Sequence, residues 1–428
     1  MKIILAVFVI LAFTSGTAFS VTLDEAVKRA IDGSYLLKEQ KETIESYRFS
    51  YISTIDPYLP RVDIQSSYIR SLNSKDSVSS YSRFSSASDV GSSLDAYTFA
   101  GSVSYRIFDG GERYAKRKGS YSLLEREKER YKGIRQDVIF SIKSAFYTAL
   151  GSRLIVERRR EAFDTADRIY KLTLARYQEG ITKKSDVLQA EVRMTASKID
   201  VQRAEREYEK AVEDLKSLIF MKAEEKADAD GPLEGPAYRP DYESLNGRAM
   251  RVKPEIITQE KEIERLNMAY VEKRSAWFPR IDAELQQTRQ DKRFFPEGRS
   301  DSFMINFTFP LFDGVGRYYN MQAALSNAQA AKQRLEETKR TVSLDIIKAI
   351  KDYELTLANV SLYKELVREA TTTFNQLLGE YRVGKGDILS LLQSEKDLAS
   401  AKENEVAALY RANVALSYLE KVAYIYDE

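Results

Sequence analysis

The stretch Tyr177-Gln178-Glu179-Gly180, followed by Asp186-Val187-Leu188-Gln189-Ala190-Glu191, lies between two long, highly charged segments of helical character. A second copy reads Tyr381-Arg382-Val383-Gly384, followed by Ser390-Leu391-Leu392-Gln393-Ser394-Glu395. Each matched residue of the second copy lies 204 positions after its counterpart, as Tyr381 does after Tyr177. A tight turn between two long helices is therefore made twice, which predicts an internally duplicated chain.

The composition argues against several classes of protein. The 428 residues include 66 Lys and Arg against 64 Asp and Glu, a balance that argues against nucleic acid as a partner. Cysteine and histidine are both absent, which removes disulfides, thiolate metal sites and the commonest general base. We therefore predict that the protein is not an enzyme and that it uses no cofactor and no bound metal.

Residues 1–20 are predicted to form a signal peptide. Lys2 supplies a positive charge, an apolar run extends from Ile3 to Phe13, and small residues lead to a cut after Ser20. A membrane anchor is the alternative, but the run is too short for a helix that spans a bilayer. We expect an exported chain. No later stretch approaches about 20 apolar residues, so any membrane crossing is predicted to use strands.

The first structural repeat is predicted over residues 21–220. Its elements are a helical segment at about 21–56, strands at about 61–71 and 96–107, and long helices at about 112–178 and 185–220. The Ser-rich segment between the strands is predicted to be an exposed loop. Gly133 and Gly151 are candidates for a bend in the first long helix. The second long helix carries a heptad seam, typical of coiled-coil packing, at Ala190, Met194, Val201, Ala204, Tyr208, Ala211, Leu215 and Leu218.

A linker at 221–240, rich in proline and glycine, separates this repeat from a second one at 241–428. The second repeat is predicted to contain a helical segment at about 241–276, strands at about 280–289 and 302–311, and long helices at about 315–382 and 388–425. The strands of both repeats alternate between apolar and polar side chains. The predicted membrane-facing strand residues are Val62, Ile64, Tyr97, Phe99, Val103, Tyr105, Phe303, Ile305, Phe307 and Phe309.

The two hairpins predict how the chain meets a membrane. Strands of about ten residues with one apolar, aromatic face are typical of transmembrane β-strands, although one such hairpin alone is more often a half-buried soluble one. Two hairpins, an export signal, and 27 Tyr with 19 Phe favour the membrane. Four strands cannot close a barrel in lipid, so several chains must pool them. Three copies give twelve strands, together with a ring of long helices that forms a tube.

The residues that carry these patterns resemble those of the TolC-like outer-membrane efflux proteins over nearly the whole mature chain. The matching pieces are the Pro-Arg strand starts at Pro60 and Pro279, the Phe-Asp-Gly strand ends at Phe108 and Phe312, and the two Tyr-x-x-Gly turns. The resemblance implies a mainly α chain with a membrane β part. It also implies a homotrimer whose twelve-strand barrel continues into a long α-helical barrel.

The same resemblance implies a location and partners. The protein would lie in the outer membrane of a Gram-negative-type bacterium, in contact with outer-membrane lipid, and extend into the periplasm. There it would dock with a periplasmic adaptor protein and an inner-membrane pump, either proton-driven or ATP-driven, in efflux or type I secretion. The predicted function is a passive exit duct. An exported trimeric coiled-coil structural or adhesin protein without a pore is the alternative.

The two turns are then expected at the periplasmic tips, where gating and docking take place. The tip candidates are Tyr177, Gly180, Asp186, Tyr381, Arg382, Gly384, Asp387 and Ser390. The two copies differ, because Asp186 has the acidic character that this family often shows in both copies whereas Ser390 takes its place in the second. Asp387 is the candidate for a carboxylate ring that constricts the pore. The alternative for Asp387 is a helix N-cap, a position that Asp favours.

Overall fold

A computed structural model describes residues 19–71, 94–222, 227–291 and 293–425. Residues 1–18 of the signal peptide predicted at 1–20, and residues 72–93 of the predicted Ser-rich loop, lie outside the described residues. The first half contains β1 (Phe19–Val21), α1 (Leu23–Gly33), α2 (Tyr35–Ser53), β2 (Arg61–Ser71), β3 (Leu94–Phe108), α3 (Glu112–Gln178) and α4 (Lys184–Leu218). The second half contains β4 (Ala227–Ala229), α5 (Tyr242–Val252), α6 (Pro254–Ser275), β5 (Arg280–Asp291), β6 (Arg299–Thr308), α7 (Gly316–Arg382) and α8 (Ile388–Ala423).

The helical segment that precedes each strand pair is two helices and not one, which corrects the sequence prediction. In the first repeat, α1 ends at Gly33 and Ser34 is its C-cap. The backbone N–H of Ser34 donates to Ala30 O, and the Ser34 hydroxyl accepts from Leu37 N at the start of α2. In the second repeat, Pro254 begins α6. Proline has no N–H and disfavours helical backbone in the residue before it, so α5 stops before Lys253.

The four long strands form one antiparallel sheet in the order β2-β3-β5-β6. Directly opposed residues share a face, so the register assigns Val62, Val103, Leu285 and Phe303 to one row across all four strands. Below that row lie Tyr105, Ala283 and Ile305, also on one face. Among the described residues, no helix combines the length and apolar character needed to cross a bilayer.

The ends of the sheet correct one detail of the prediction and add an irregularity. Strand β6 ends at Thr308, opposite Arg280, the first residue of β5. No strand residue therefore remains opposite Phe309, and this predicted strand residue lies outside the sheet. A register shift between Arg106 and Phe108 inserts a β-bulge in β3, so Phe108 and not Ile107 faces Ile281.

The linker also contains structure that the sequence prediction missed. Strand β4 pairs in parallel with β1, and Val21 lies opposite Ala229. The neighbouring Asp228 accepts a hydrogen bond of 2.6 Å from the hydroxyl of Tyr208 on α4. Burial and this bond to the carboxylate raise the pKa of Tyr208, so it remains a donor at neutral pH.

The chain divides into two compact units that do not follow the repeats. Unit 1 takes residues 1–41, 129–257 and 337–428, and unit 2 takes 42–128 and 258–336. The four-stranded sheet belongs to unit 2, and the turns and the return helices belong to unit 1. The core of unit 1 includes Ile142, Phe146 and Leu150 from α3, packed with Leu215 from α4.

The return helices show the heptad seam, with smaller residues than predicted. In α4, Ala190, Ala204 and Ala211 are buried as expected, and Ser197 completes a strict seven-residue spacing. Of the larger predicted seam residues, Leu215 is buried and Leu218 is exposed. Helix α8 repeats the pattern 204 positions later, where Ser394, Ala401 and Ala408 are buried. Small residues at this spacing allow the two helices of a pair to approach closely.

Gly151 is required by close packing, and α3 runs through it as one continuous helix. A Cβ at Gly151 would lie 2.5 Å from Cδ1 of Tyr410, whereas one at Gly133 would meet nothing closer than 3.6 Å. We expect Gly151→Ala to lower the free energy of unfolding by about 1–3 kcal/mol through overpacking. Gly133→Ala is the matched control in the same helix and is expected to stabilise by up to about 1 kcal/mol. Thermal unfolding of both variants measures the difference, and equal values would contradict the packing account.

Candidate functional site

The two turns have the same backbone geometry. Gly180 and Gly384 adopt positive φ angles of 75° and 79°, a region that other residues resist. Gly180 N donates to Tyr177 O at 2.9 Å, and Gly384 N donates to Tyr381 O at 3.1 Å. In each copy the backbone N–H of the residue after the glycine donates a second hydrogen bond, to a carbonyl farther back in the helix. Both turns are therefore Schellman motifs that satisfy the last carbonyls of α3 and α7.

The return helices begin differently in the two copies. Asp387 caps α8, since its carboxylate accepts from Ser390 N at 3.0 Å and from the Ser390 hydroxyl at 2.6 Å. These bonds, led by the one from the Ser390 side chain, hold the pKa of the Asp387 carboxyl below its usual range. In the first copy, Asp186 accepts instead from the hydroxyls of Thr182 and Ser185. At both turns a carboxylate therefore accepts a hydrogen bond from a hydroxyl. The acidic residue occupies different positions in the two copies.

Tyr381 joins the two turns within unit 1. Its side chain is buried, with 4% exposure, and its hydroxyl donates to Thr173 Oγ1 at 3.1 Å. Arg176 lies over the Tyr381 ring at 5.1 Å and donates to the carbonyl oxygens of Tyr381 and Arg382, both at 3.0 Å. Its counterpart Tyr177 is 41% exposed. The structure therefore brings Tyr381 and the Arg382 backbone into one contact and leaves Tyr177 outside it.

An ion pair links the return helices near the tips. Arg193 Nε on α4 donates to Glu395 Oε2 on α8 at 2.5 Å, and the Glu395 side chain is 2% exposed. Burial raises the pKa of the Glu395 carboxyl more than the attraction of Arg193 lowers it. Arg159 on α3 adds contacts to Asp200 and Glu403. These charges connect helices of both repeats within unit 1.

The sheet of unit 2 separates apolar from polar side chains. The predicted residues from Val62 to Phe307 lie on one face, with 85% exposure for Ile64 and 69% for Phe303. The opposite face carries an ion pair between Arg106 and Asp282, at 2.9 Å. The apolar face carries a charged side chain at Asp301, which lies two residues before Phe303 on β6. A sheet with a broad exposed apolar face is what a lipid-facing surface requires.

Two matched corners connect the strands to the long helices in unit 2. At the first, Arg113 donates to Asp109 Oδ2 at 2.7 Å and to Pro57 O at 3.0 Å, with its guanidinium 4.9 Å from the Tyr58 ring. Burial acts to raise the pKa of Asp109. The hydrogen bonds from the backbone of Arg113 and Gly111 and from the Arg113 side chain outweigh it, and the pKa is lowered.

The second corner repeats this construction 204 positions later. Arg317 donates to Asp313 Oδ2 at 3.2 Å and to Pro310 O at 3.0 Å, and lies over the Trp277 ring at 4.9 Å. The sequence prediction missed both arginines, although their equal distance from the two Phe-Asp-Gly motifs was a usable signal. Thr173 and Arg176 were also missed. Their counterparts are Leu377 and Glu380, so the repeat gave no signal for them.

Comparison with known proteins defines the class. Protein CyaE of Bordetella pertussis is 23% identical over 328 residues, which cover 75% of this chain and 69% of that protein. The outer membrane channel CmeC of Campylobacter jejuni has a TM-score of 0.82 at 16% identity, over 99% of this chain and 93% of that one. The outer membrane protein VceC of Vibrio cholerae has a TM-score of 0.81 at 16% identity, over 94% and 95%. The fold is that of an outer-membrane channel.

The model of the family described as "Outer membrane efflux protein" matches residues 26–219 and 247–423. The chain therefore belongs to the outer membrane efflux protein family. It is an outer-membrane protein that extends into the periplasm and serves as an exit duct for efflux or secretion. The family is one of channels and not of enzymes.

Proposed function

We propose that the working form is a homotrimer in which three four-stranded sheets close into a twelve-strand barrel. Within the described residues, β2 and β6 each pair with one neighbour only, so the sheet has two open edges. An open strand edge is not tolerated in hydrocarbon, because its backbone groups find no partner there. Pairing of β6 in one copy with β2 in the next satisfies both edges. The single observation that carries this proposal is that a sheet with an exposed apolar face has two open edges.

The long helices of the three copies continue from the barrel as a tube across the periplasm, and the two turns form its far end. Cargo passes through passively, and an inner-membrane pump supplies the energy. A periplasmic adaptor joins the pump to the tube. This assignment of partners rests on the family and on the position of the turns at the end of α3 and α7. The repeats at 21–220 and 241–428, joined by the linker, each supply one hairpin and one long helix pair.

Purification and electrophysiology test the proposal. We expect the protein to require detergent, to elute with the mass of three chains in light scattering after subtraction of the detergent, and to conduct ions in planar bilayers. The pore-free coiled-coil protein would form trimers that need no detergent and carry no current. A monomer that is soluble without detergent contradicts both the barrel and the duct.

Substitutions of Asp387 test whether the tip of the duct is a constriction that multivalent cations block. We expect Asp387→Asn to remove charge while keeping a good N-cap, and to weaken block of the channel by multivalent cations about tenfold or more at low salt. Asp387→Ser is a matched neutral cap and is expected to behave alike. Because the pKa of Asp387 is lowered, block of the wild type is expected to persist as the pH falls past the usual pKa range of an aspartate carboxyl, and to be lost only at lower pH. Unchanged block in both variants would remove Asp387 from the pore.

A further inference from the structure

The two hairpins of the sheet are related residue by residue through the internal repeat. Each residue of β2 has its counterpart on β5 219 positions later, and each residue of β3 has its counterpart on β6 204 positions later. The opposed pair of Arg61 and Ser104 in the first hairpin therefore translates to Arg280 and Thr308, and these two residues are opposed in the second hairpin. Every other opposed pair of the second hairpin follows the same rule. The repeat therefore predicts strand register.

The joint between the two hairpins of one chain is the pairing of β3 with β5, which we call the internal joint. In the trimer, which this inference takes from the proposed function, the same two edges of the repeat meet again where β6 of one copy pairs with β2 of the next. We call this second contact the copy joint. Ser104 lies opposite Glu284 in the internal joint, and the pair translates to Thr308 opposite Gln65 of the next copy.

Strands β3 and β6 end at different places, although both end in a Phe-Asp-Gly motif. Strand β3 continues past Ser104, its last residue opposite β2, as far as Phe108, because β5 pairs with it up to Ile281. Strand β6 stops at Thr308, the counterpart of Ser104, where its pairing with β5 ends. The alternation of apolar residues nevertheless continues through 309–311. The sequence of β6 is therefore longer, as a strand pattern, than the partner that one chain offers it.

The exposure of matched residues shows which side of each joint lacks a neighbour. Phe108, in the internal joint, is 40% exposed, whereas its counterpart Phe312 is 84% exposed. Across the joint, Ile281 is partly buried, whereas its counterpart Val62 is 68% exposed. The two segments that would form the copy joint are therefore the uncovered ones in the single chain.

We infer that β6 extends to Phe312 in the trimer and pairs with β2 of the next copy in the register that sets Thr308 opposite Gln65. The shift between Arg106 and Phe108 in the internal joint translates to a β-bulge at Leu311. This bulge sets Phe312 opposite Val62, as Phe108 is opposite Ile281. The second copy thus supplies the partner that the end of β6 lacks.

The faces of the two strands agree with this register. On the apolar face, Phe309 lies opposite Ile64, and Ile305 lies opposite Tyr68. On the polar face, the opposed pairs are Thr308 with Gln65 and Asn306 with Ser67. A shift of one residue would set every apolar residue of β6 beside a polar residue of β2 and is excluded by the pattern.

The ion pair of the internal joint is replaced without leaving a charge unmatched. Arg106 and Asp282 translate to Pro310 and Asp63, so the cation is lost. Asp63 already has another cation, because Arg61 on the same strand forms an ion pair with it at 2.7 Å. Pro310 has no N–H, and it would lie beside the bulge, where strands tolerate proline.

Because the chain has no cysteine, disulfide formation between copies can measure the register. In the Gln65→Cys and Thr308→Cys double variant, opposed positions set the two Cβ atoms about 4.5–5.5 Å apart, close enough for a disulfide. We expect oxidation of the trimer to give bands of two and three chains under denaturing conditions, and a reductant to return them to one. The two positions lie on opposite edges of one sheet, about 14 Å apart, so they cannot link within a chain.

Two further double variants serve as control and as test of the extension. Ser67→Cys with Thr308→Cys keeps the same face but is shifted by two residues, and it is expected to link about tenfold less, because diagonal neighbours are about 7–8 Å apart. Asp63→Cys with Pro310→Cys lies beyond the end of β6 in the single chain. We expect this pair to link as efficiently as the first.

The outcomes separate this inference from the proposed function. Stronger linkage of the shifted pair, or no linkage in variants that still form trimers when reduced, overturns the register and leaves the trimeric duct standing. Linkage at Gln65 and Thr308 without linkage at Asp63 and Pro310 overturns the extension of β6. A wild-type chain that forms no trimer overturns the proposed function itself.

Discussion

Replacing Arg113 with alanine is expected to destabilise the first strand–helix corner by about 3–5 kcal/mol, because it leaves the carboxylate of Asp109 buried without its cation. Both side chains are nearly enclosed, with exposures of 11% and 6%. The variant also loses the donors to Pro57 O and the contact over the Tyr58 ring. We expect a large loss of refolded trimer and a lower unfolding temperature of what remains, measured by denaturing gels of heated samples.

Arg317→Ala in the second corner is the matched control. It removes contacts of the same kinds, to Asp313, to Pro310 O and to the Trp277 ring, but Asp313 is 53% exposed in the single chain, so water can solvate the carboxylate that is left behind. The expected loss is therefore smaller than that of Arg113→Ala. Equal losses would show that burial of the acid does not decide the effect.

The pH dependence of the first corner gives a second readout. The pKa of Asp109 is lowered in the folded state, so its contribution to stability is complete above its ordinary pKa of 3.8. That contribution is lost as the pH falls through the lower, folded pKa. In Arg113→Ala the carboxyl loses its cation and its pKa rises, so we expect acid to cost the variant less than it costs the wild type. Parallel acid unfolding curves would contradict this assignment.

Replacing Arg176 with alanine is expected to favour the open state of the far end of the duct, which the two turns form in the proposed trimer. We call this end the mouth. The guanidinium donates to two carbonyls of the second turn, and hydrogen bonds from charged donors contribute about 1.5–3 kcal/mol each. A net loss of about 3 kcal/mol would shift a closed–open equilibrium roughly a hundredfold. We expect a higher open fraction in single-channel recordings and greater sensitivity of the cells to large antibiotics.

The two tyrosines supply the controls for this prediction. Tyr381→Phe removes only the hydrogen bond to Thr173 and is expected to open the mouth about tenfold less than Arg176→Ala. Tyr177→Phe changes the exposed counterpart and is expected to leave the recordings unchanged. An effect of Tyr177→Phe as large as that of Tyr381→Phe would mean that the two tips are equivalent after all.

Much of the fold could be predicted from the periodicity of the apolar residues, because that periodicity indicates which face of a helix or strand is buried. The alternation at Val62 and Ile64 indicated the sheet faces that the register shows. The bulge before Phe108 was not readable, since a single extra residue leaves the apolar pattern almost unchanged. The split of the first helical segment at Ser34 was equally hidden, because serine is common both inside helices and at their ends.

The tips show where a repeat helps and where it misleads. Gly180 and Gly384 were identified because their positive φ angles demand the same residue in both copies. Tyr177 and Tyr381 differ in burial because Arg176 and Thr173 contact Tyr381 alone. These two residues lie near the first turn, and the second repeat does not have them at the corresponding positions. Contacts between distant segments of this kind have no signature in one sequence.

The division into two units has a consequence for biogenesis. Unit 2 needs residues up to 336, and unit 1 needs the final segment, 337–428. Neither repeat builds a unit by itself, and each unit combines segments that are far apart along the chain. Such topologies fold slowly, and apolar strands exposed meanwhile are prone to aggregate. A chain secreted from its N-terminus is therefore expected to expose the strands of its first hairpin in the periplasm until the residues up to 336 have been delivered, and to depend on chaperones during that interval.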